Sequence, residues 1–221
     1  MKKLIGLGLA AALLSGCEVI GGLSSGQQIV GSGKSTTISK HVASFKRVEI
    51  TGSMDAEITI GKASDIRIEG DDNIVPHVTC VVKNDTLMIG MDNGSYSTHG
   101  RIKVSFAVPS LEGVGLTGSG DVDLRGYHGD GLSVDLSGSG NITADGLAKS
   151  LTGTISGSGN LSLFGLKSDD ASVDISGSGN AEVSVSGTLS ATIAGSGDIR
   201  YKGHPTVSKS VTGSGTVEAG D

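Results

Sequence analysis

Beyond residue 45, apolar and polar residues alternate along nearly the whole chain. Val48/Ile50, Ala56/Ile58/Ile60, Ile66/Ile68, Leu87/Ile89 and Ile102/Val104/Phe106/Val108 recur at every second position. That is the period of half-buried strands. Gly52-Ser53, Gly70-Asp71-Asp72-Asn73, Lys83-Asn84-Asp85 and Asp92-Asn93-Gly94 break the runs where turns are needed. No segment sustains a 3.6-residue pattern, so the fold class predicted is all-β.

From residue 111 the alternation becomes a repeat. LTGSGD, LSGSGN, ISGSGN, ISGSGN, IAGSGD and VTGSGT begin their glycines at Gly118, Gly138, Gly157, Gly177, Gly195 and Gly213, in steps of 20, 19, 20, 18 and 18 residues. A period this short predicts a stacked solenoid, in which each coil buries its apolar face against its neighbours. Two residues before each turn stand Leu116, Leu136, Ile155, Ile175, Ile193 and Val211. Four residues after its first glycine stand Val122, Ile142, Leu161, Ala181, Ile199 and Val217. Flanked by polar residues, both columns must point inward. Each coil then reads as a strand, a tight turn, a second strand and a looser return with Gly126, Gly146, Gly165 or Gly203. The structural turn residues are Gly118 and Gly120, Gly138 and Gly140, Gly157 and Gly159, Gly177 and Gly179, Gly195 and Gly197, and Gly213 and Gly215. Six coils at about 4.8 Å per rung make a rod of roughly 30 Å.

The first residues give an address. Lys2 and Lys3 precede an apolar run, Leu4 to Leu14, too short to span a bilayer as a mature helix. It ends in Leu14-Ser15-Gly16-Cys17, which resembles the lipobox of bacterial lipoproteins. The resemblance implies cleavage before Cys17, acylation of Cys17, and a lipid anchor with more than one acyl chain. Glu18, rather than Asp, follows the cysteine and favours the outer membrane. The organisation expected is a signal peptide over 1–16, a lipidated N-terminus and flexible Gly/Ser/Gln-rich tether over 17–33, and a β domain over 34–221. Within that domain, 34–110 is irregular and 111–221 is repetitive.

Cleavage removes two lysines and moves the formal charge from -6 to -8, a poor balance for nucleic acid or an anionic lipid surface. With Cys17 acylated, Cys80 stands alone, and in Val78-Thr79-Cys80-Val81-Val82 it reads as a small buried hydrophobe. Gly31-Ser32-Gly33-Lys34-Ser35-Thr36 mimics the end of a phosphate-binding loop. Gln28, however, occupies the place of the motif's first glycine, and no helix pattern follows.

The serial GSG turns occur with Phe45-Lys46-Arg47-Val48-Glu49-Ile50, Gly70-Asp71-Asp72-Asn73, Asp85-Thr86-Leu87-Met88-Ile89 and Pro109-Ser110-Leu111-Glu112. In this combination the chain resembles the head GIN domain family over roughly residues 34 to 221. The resemblance implies a β-helix-like, two-sheeted superhelix whose proposed role is adhesion and whose biochemical function is unassigned. The chain departs from an auto-transporter in carrying a lipidation signal in place of a trimeric membrane-anchor barrel.

No catalytic constellation can be assembled from the sequence, and no enzyme, cofactor or metal is expected. The turn column Asp121, Asn141, Asn160, Asn180, Asp198 and Thr216 places its two acids about 19 Å apart, too far to share a cation. It reads as a capping or amide ladder at the corner. His41, His77, His99, His128 and His204 lack ligand spacing, and Tyr127-His128-Gly129-Asp130 reads as an exposed return loop.

The expectation is a lipid-anchored, non-enzymatic adhesion or surface-interaction module of the bacterial envelope. A periplasmic assembly or sensing role is the alternative, and a polysaccharide-active β-helix enzyme is less favoured. Possible partners are the membrane, a glycan or protein ligand on the hydroxyl strip formed by the column Thr117, Ser137, Ser156, Ser176, Ala194 and Thr212, and a second copy at the C-terminal edge.

Overall fold

A computed structural model describes residues 28–220. Cys17, its lipobox and the greater part of the expected tether lie outside these residues. The strands are β1 Ile29–Val30, β2 Ser35–Lys40, β3 Arg47–Gly52, β4 Asp55–Ile60, β5 Ile66–Asp71, β6 Val78–Lys83, β7 Thr86–Met91, β8 Tyr96–Ser97 and β9 Lys103–Val108. They continue as β10 Gly113–Gly118, β11 Asp121–Gly138, β12 Asn141–Gly157, β13 Asn160–Gly177, β14 Asn180–Gly195, β15 Ile199–Lys202, β16 Thr206–Gly213 and β17 Val217–Ala219. A single 3-10 turn, Val75–His77, precedes β6.

Two walls run along the solenoid. The first stacks β6, β7, β3 and β10, then the C-terminal halves of β11 to β14, and ends on β16. The second stacks β2, β5, β9 and β4, then the N-terminal halves of β11 to β14, then β15 and β17. Pairing is parallel throughout the repeats and antiparallel only at β2–β5, β5–β9 and β6–β7. The inward columns meet as the alternation requires: Leu116, Leu136, Ile155, Ile175 and Ile193 are buried and in register.

The serine amide of each GSG turn donates to the first-glycine carbonyl one rung back, as in Ser139 N to Gly118 O at 3.0 Å and Ser158 N to Gly138 O at 2.8 Å. The first glycine must be glycine. At Gly138 φ is +129°, and a Cβ would stand 2.3 Å from Gly118 O.

Three features differ from the sequence reading. The return is not a free turn: Tyr127 to Gly129 pair in parallel with Gly146 to Ala148, after a bulge at Gly126. A seventh turn, Gly52-Ser53-Met54, stacks beneath Gly118-Ser119-Gly120, with Ser119 N donating to Gly52 O at 3.1 Å. Residues 61–112 therefore form an excursion that builds the N-terminal rung from β7 and β9 before the chain passes to β10. Lastly, the chain is held from Ile29, short of the expected domain start at 34, because β1 pairs with β8.

The ends are unlike. Ile74, Val75 and Val78 are fully buried and plug the N-terminal end. At the C-terminal end Val211 is 39% exposed, and Lys209 occupies the core column of Val114, Val134, Val173 and Ala191.

Candidate functional site

Outward positions of the first wall build a flat lattice. On β11 to β14 and β16 the three outward rows are Ser133, Thr152, Ser172, Ser190, Ser208; Asp135, Thr154, Asp174, Thr192, Ser210; and Ser137, Ser156, Ser176, Ala194, Thr212. Every position except Asp135, Asp174 and Ala194 carries a hydroxyl. Alternation fixes this, since the residues between point into the core. The expected strip just before the turns is one row of three, in register at the usual strand spacing of about 4.8 Å. Such a surface can donate and accept hydrogen bonds repetitively, and it has no aromatic platform.

The corner beside this face holds the expected ladder. Asn141 Nδ2 donates to Asp121 Oδ1 at 2.7 Å, Asn160 Nδ2 to Asn141 Oδ1 at 2.9 Å, and Asn180 Nδ2 to Asn160 Oδ1 at 3.1 Å. The Asp198 amide then donates to Asn180 Oδ1 at 3.1 Å, and Thr216 Oγ1 donates to Asp198 Oδ1 at 2.7 Å. Asp121 can only accept, which suits the end of a run whose amides all donate toward the N-terminus. Arg101 bridges Asp121 and Asp55 at 2.8 and 2.7 Å, and those carboxylates push its pKa up, with the Asp55 hydrogen bond the largest cause. The column is structural and joins the rungs.

A groove of about 650 Å³ lies on the return side, where β14 is shorter than β13 and the pairing slips between Leu163 and Lys167. His128, Asp130, Lys149, Lys167 and Asp169 are among its lining residues. The expected loop Tyr127-His128-Gly129-Asp130 divides here. Tyr127 is 1% exposed and donates its hydroxyl to Gly131 O at 2.6 Å, so it belongs to the core rather than to an exposed loop. Asp130 is exposed and pairs with Lys149 at 2.7 Å, which holds its carboxyl below the usual range.

A second cleft, about 610 Å³ and mostly apolar, lies between residues 41–46, 63–65 and 107–110. Phe45 at its wall stacks edge-on against Phe106, with centroids 5.8 Å apart. No residue pattern points to this cleft; it exists because the excursion leaves the N-terminal coils without paired return segments.

The remaining candidates are structural. The phosphate-loop mimic is fastened to a turn: Gly33 N donates to Asp71 Oδ1 at 2.9 Å, Ser32 Oγ to Asp72 Oδ1 at 2.5 Å, and Asn73 Nδ2 to Val30 O at 2.8 Å. The strand β2 follows it, not a helix. Asp71 is buried and also accepts from His99 N at 3.0 Å. Cys80 is half-buried on β6, and desolvation pushes its thiol pKa up, away from a reactive thiolate. Among the described residues no group of three or more His, Cys, Asp or Glu is placed to hold a metal ion, and no helix is long and apolar enough to cross a membrane.

Residues 44–205 match the family described as "Putative auto-transporter adhesin, head GIN domain". The fold is shared with a solved structure described as a putative adhesin from Bacteroides fragilis. That protein is 25% identical with a TM-score of 0.69, over 86% of this chain and 99% of the other. It is shared also with a protein of Parabacteroides distasonis described as a putative lipid binding protein, 23% identical with a TM-score of 0.58, over 88% and 100%. A putative adhesin of Parabacteroides merdae is 23% identical with a TM-score of 0.55, over 88% and 99%. No curated protein matches.

Proposed function

The chain belongs to the head GIN domain family, and from that premise we propose that it is a lipid-anchored, non-enzymatic interaction module of the outer cell envelope, meeting its partner through the hydroxyl face of the first wall. The observation that carries this reading is the register of that face. Ser137, Ser156 and Ser176 stand in line on successive rungs, as do Ser133, Thr152, Ser172 and Ser190. A rigid array of this kind suits a partner that is itself repetitive and rich in hydroxyls, which favours a glycan over an apolar protein surface. The adhesin description of the Bacteroides fragilis structure points the same way. A second copy at the C-terminal edge is the partner the surface supports least, because Lys209 blunts that edge.

Antibody labelling of intact and permeabilised cells, with a Cys17→Ala control, tests the reading. Labelling of intact cells that is lost in Cys17→Ala is the expected result. Retention of such cells on polysaccharide-coated wells should then fall in Ser156→Arg, which places a bulky charge in the middle of the lattice. Labelling only after permeabilisation would sink adhesion and leave envelope assembly or sensing as the role.

A second reading rests on the apolar cleft at Phe45. Its lining by Val42, Ala63, Val108 and Pro109 suits an acyl chain, and one protein of the same fold is described as lipid binding. Displacement of a fluorescent fatty acid by Ala107→Trp would support it, and absence of fatty-acid binding by the intact protein would end it.

A further inference from the structure

We propose that the N-terminal cap is the end of the solenoid that rests on the membrane, its edge side chains contacting the phospholipid headgroup zone while the C-terminal rung points away. The proposal rests on the reading of Cys17 as the lipidated residue and adds the orientation of the body above its anchor.

The first support is where the chain enters the body. From Val30 to Lys34 it is clasped by the turn Asp71-Asp72-Asn73. Ser32 N donates to Asn73 Oδ1 at 2.8 Å, Asp72 N donates to Lys34 O at 2.8 Å, and the bonds of Ser32 Oγ, Gly33 N and Asn73 Nδ2 complete the grip. A force on the N-terminus is therefore delivered to the cap, at β5 and β2, and not to the repeats. The segment from Cys17 to Gln28 spans at most about 38 Å even when straight. The first wall from β6 to β16 is itself about 38 Å long at the usual strand spacing. With the rod upright, its C-terminal rung could face the anchoring membrane only with that segment drawn out to its limit. A rod lying flat would bring both ends to the surface, and comparing quenching at the two ends separates that case.

The second support is the cap's surface. Val30 is 56% exposed, Val81 55% and Met88 46%, and Val81 and Met88 are directly opposed across β6 and β7. Elsewhere among the described residues only Leu147 and Val211 are large, apolar and comparably exposed. Lys34 immediately precedes β2 and Lys83 ends β6, while Lys40, at the end of β2, donates its ammonium to Val78 O. Among the neighbouring acids Asp92 is engaged by His77 and Tyr96 and Asp72 by Ser32, while Glu49, opposite Met88 on β3, and Asp85, in the turn beside Lys83, make no ion pair among the described residues. Aliphatic side chains beside lysines, whose stems are apolar and whose heads are charged, suit the boundary between headgroups and acyl chains. On this orientation the rows of the hydroxyl face run away from the membrane, and Ser208, Ser210 and Thr212 stand farthest out.

The sequence contains no tryptophan, so single tryptophans report position directly. Val81→Trp, Met88→Trp and Ser208→Trp are each prepared in the full lipidated chain and inserted in phosphatidylethanolamine/phosphatidylglycerol vesicles containing brominated lipid. The expected result is fluorescence quenched several-fold more at positions 81 and 88 than at 208, with the difference reduced when Asp72→Ala and Asn73→Ala open the clasp. Equal quenching at the two ends, stronger quenching at 208, or none at any position in vesicle-bound protein overturns the orientation. Protein that fails to float with the vesicles and carries no acyl group on Cys17 overturns the anchor reading, and the proposal with it.

Discussion

The guanidinium of Arg47 lies across Gly113 and comes within 3.6 Å of the Asp135 carboxylate, two rungs along the first wall. Gly113 has no side chain to obstruct it: a Cβ there would stand 2.7 Å from Arg47 Cζ. The pair closes the N-terminal margin of the hydroxyl face and compensates one of its two acids. Both partners are about half exposed, so its contribution to stability is small, at most about 1 kcal/mol.

Two glycines of the same wall should therefore respond very differently to one methyl group. In Gly113→Ala the methyl meets only the far end of a mobile side chain, and urea melts should stay within about 1 kcal/mol of the wild type. In Gly138→Ala it meets the Gly118 carbonyl in a backbone that L-residues avoid. The loss there should reach about 2 kcal/mol or more. Equal melting of the two variants would refute the close-stacked turn.

The amide ladder predicts a graded pair. Asn160 donates to Asn141 and accepts from Asn180. Asn160→Ala removes both bonds at an exposed corner and should cost about 1 kcal/mol. Asn160→Asp keeps the acceptor but turns an anion toward Asn141 Oδ1, so at neutral pH it should cost at least as much. Its penalty should shrink as acid protonates the new carboxyl and restores a donor. Thermal melts at neutral and acidic pH separate the two.

How far the sequence disclosed the fold depends on how strictly a coil repeats. The core columns and the corner ladder were legible because Leu136, Ile155 and Ile175, and likewise Asn141, Asn160 and Asn180, recur at nearly constant steps. The turn at Gly52-Ser53 was legible, but its place in the solenoid was not, because Met54 replaces the second glycine and the excursion separates it from its neighbour Gly118. The signal was present all the same: Ile50 stands two residues before Gly52 and Ala56 four after it, as in every later coil. Tyr127 escapes a reading by alternation because the bulge at Gly126 reverses its phase, placing inward a residue that simple counting sends outward. The apolar cleft left no trace, since it arises from missing return segments and not from any residue pattern.

The cap should loosen in acid at one identifiable place. Tyr96 and then His77 hydrogen-bond to Asp92 and lower its pKa. A lowered carboxyl contributes stability that is present above its unfolded value, near 3.9, and is lost as pH falls through the folded one. Amide exchange around Tyr96 and Ser97, where β8 holds β1, should therefore quicken below about pH 4 while the repeats stay protected. The same contact pushes the Tyr96 hydroxyl up to about 12. In Asp92→Asn the alkaline phenolate transition of Tyr96 should move down, toward the ordinary tyrosine value of about 10. An unchanged transition would show that the contact does not form.

Lys209 sets the last prediction. On every earlier rung of the repeats its column holds valine, alanine or glycine, and the rung beyond it is absent among the described residues. Beside it Val211 is 39% exposed. An apolar residue at 209 would leave a continuous valine edge, with unpaired backbone groups along β16, open to another copy. A charge in that place makes the pairing costly, because two such ends would bring lysine against lysine in a partly desolvated setting. Lys209→Val should therefore raise the apparent mass in light scattering as concentration increases, while Lys209→Glu should remain as dispersed as the wild type. If Lys209→Val does not associate more strongly than the wild type, the edge is protected by something other than this charge.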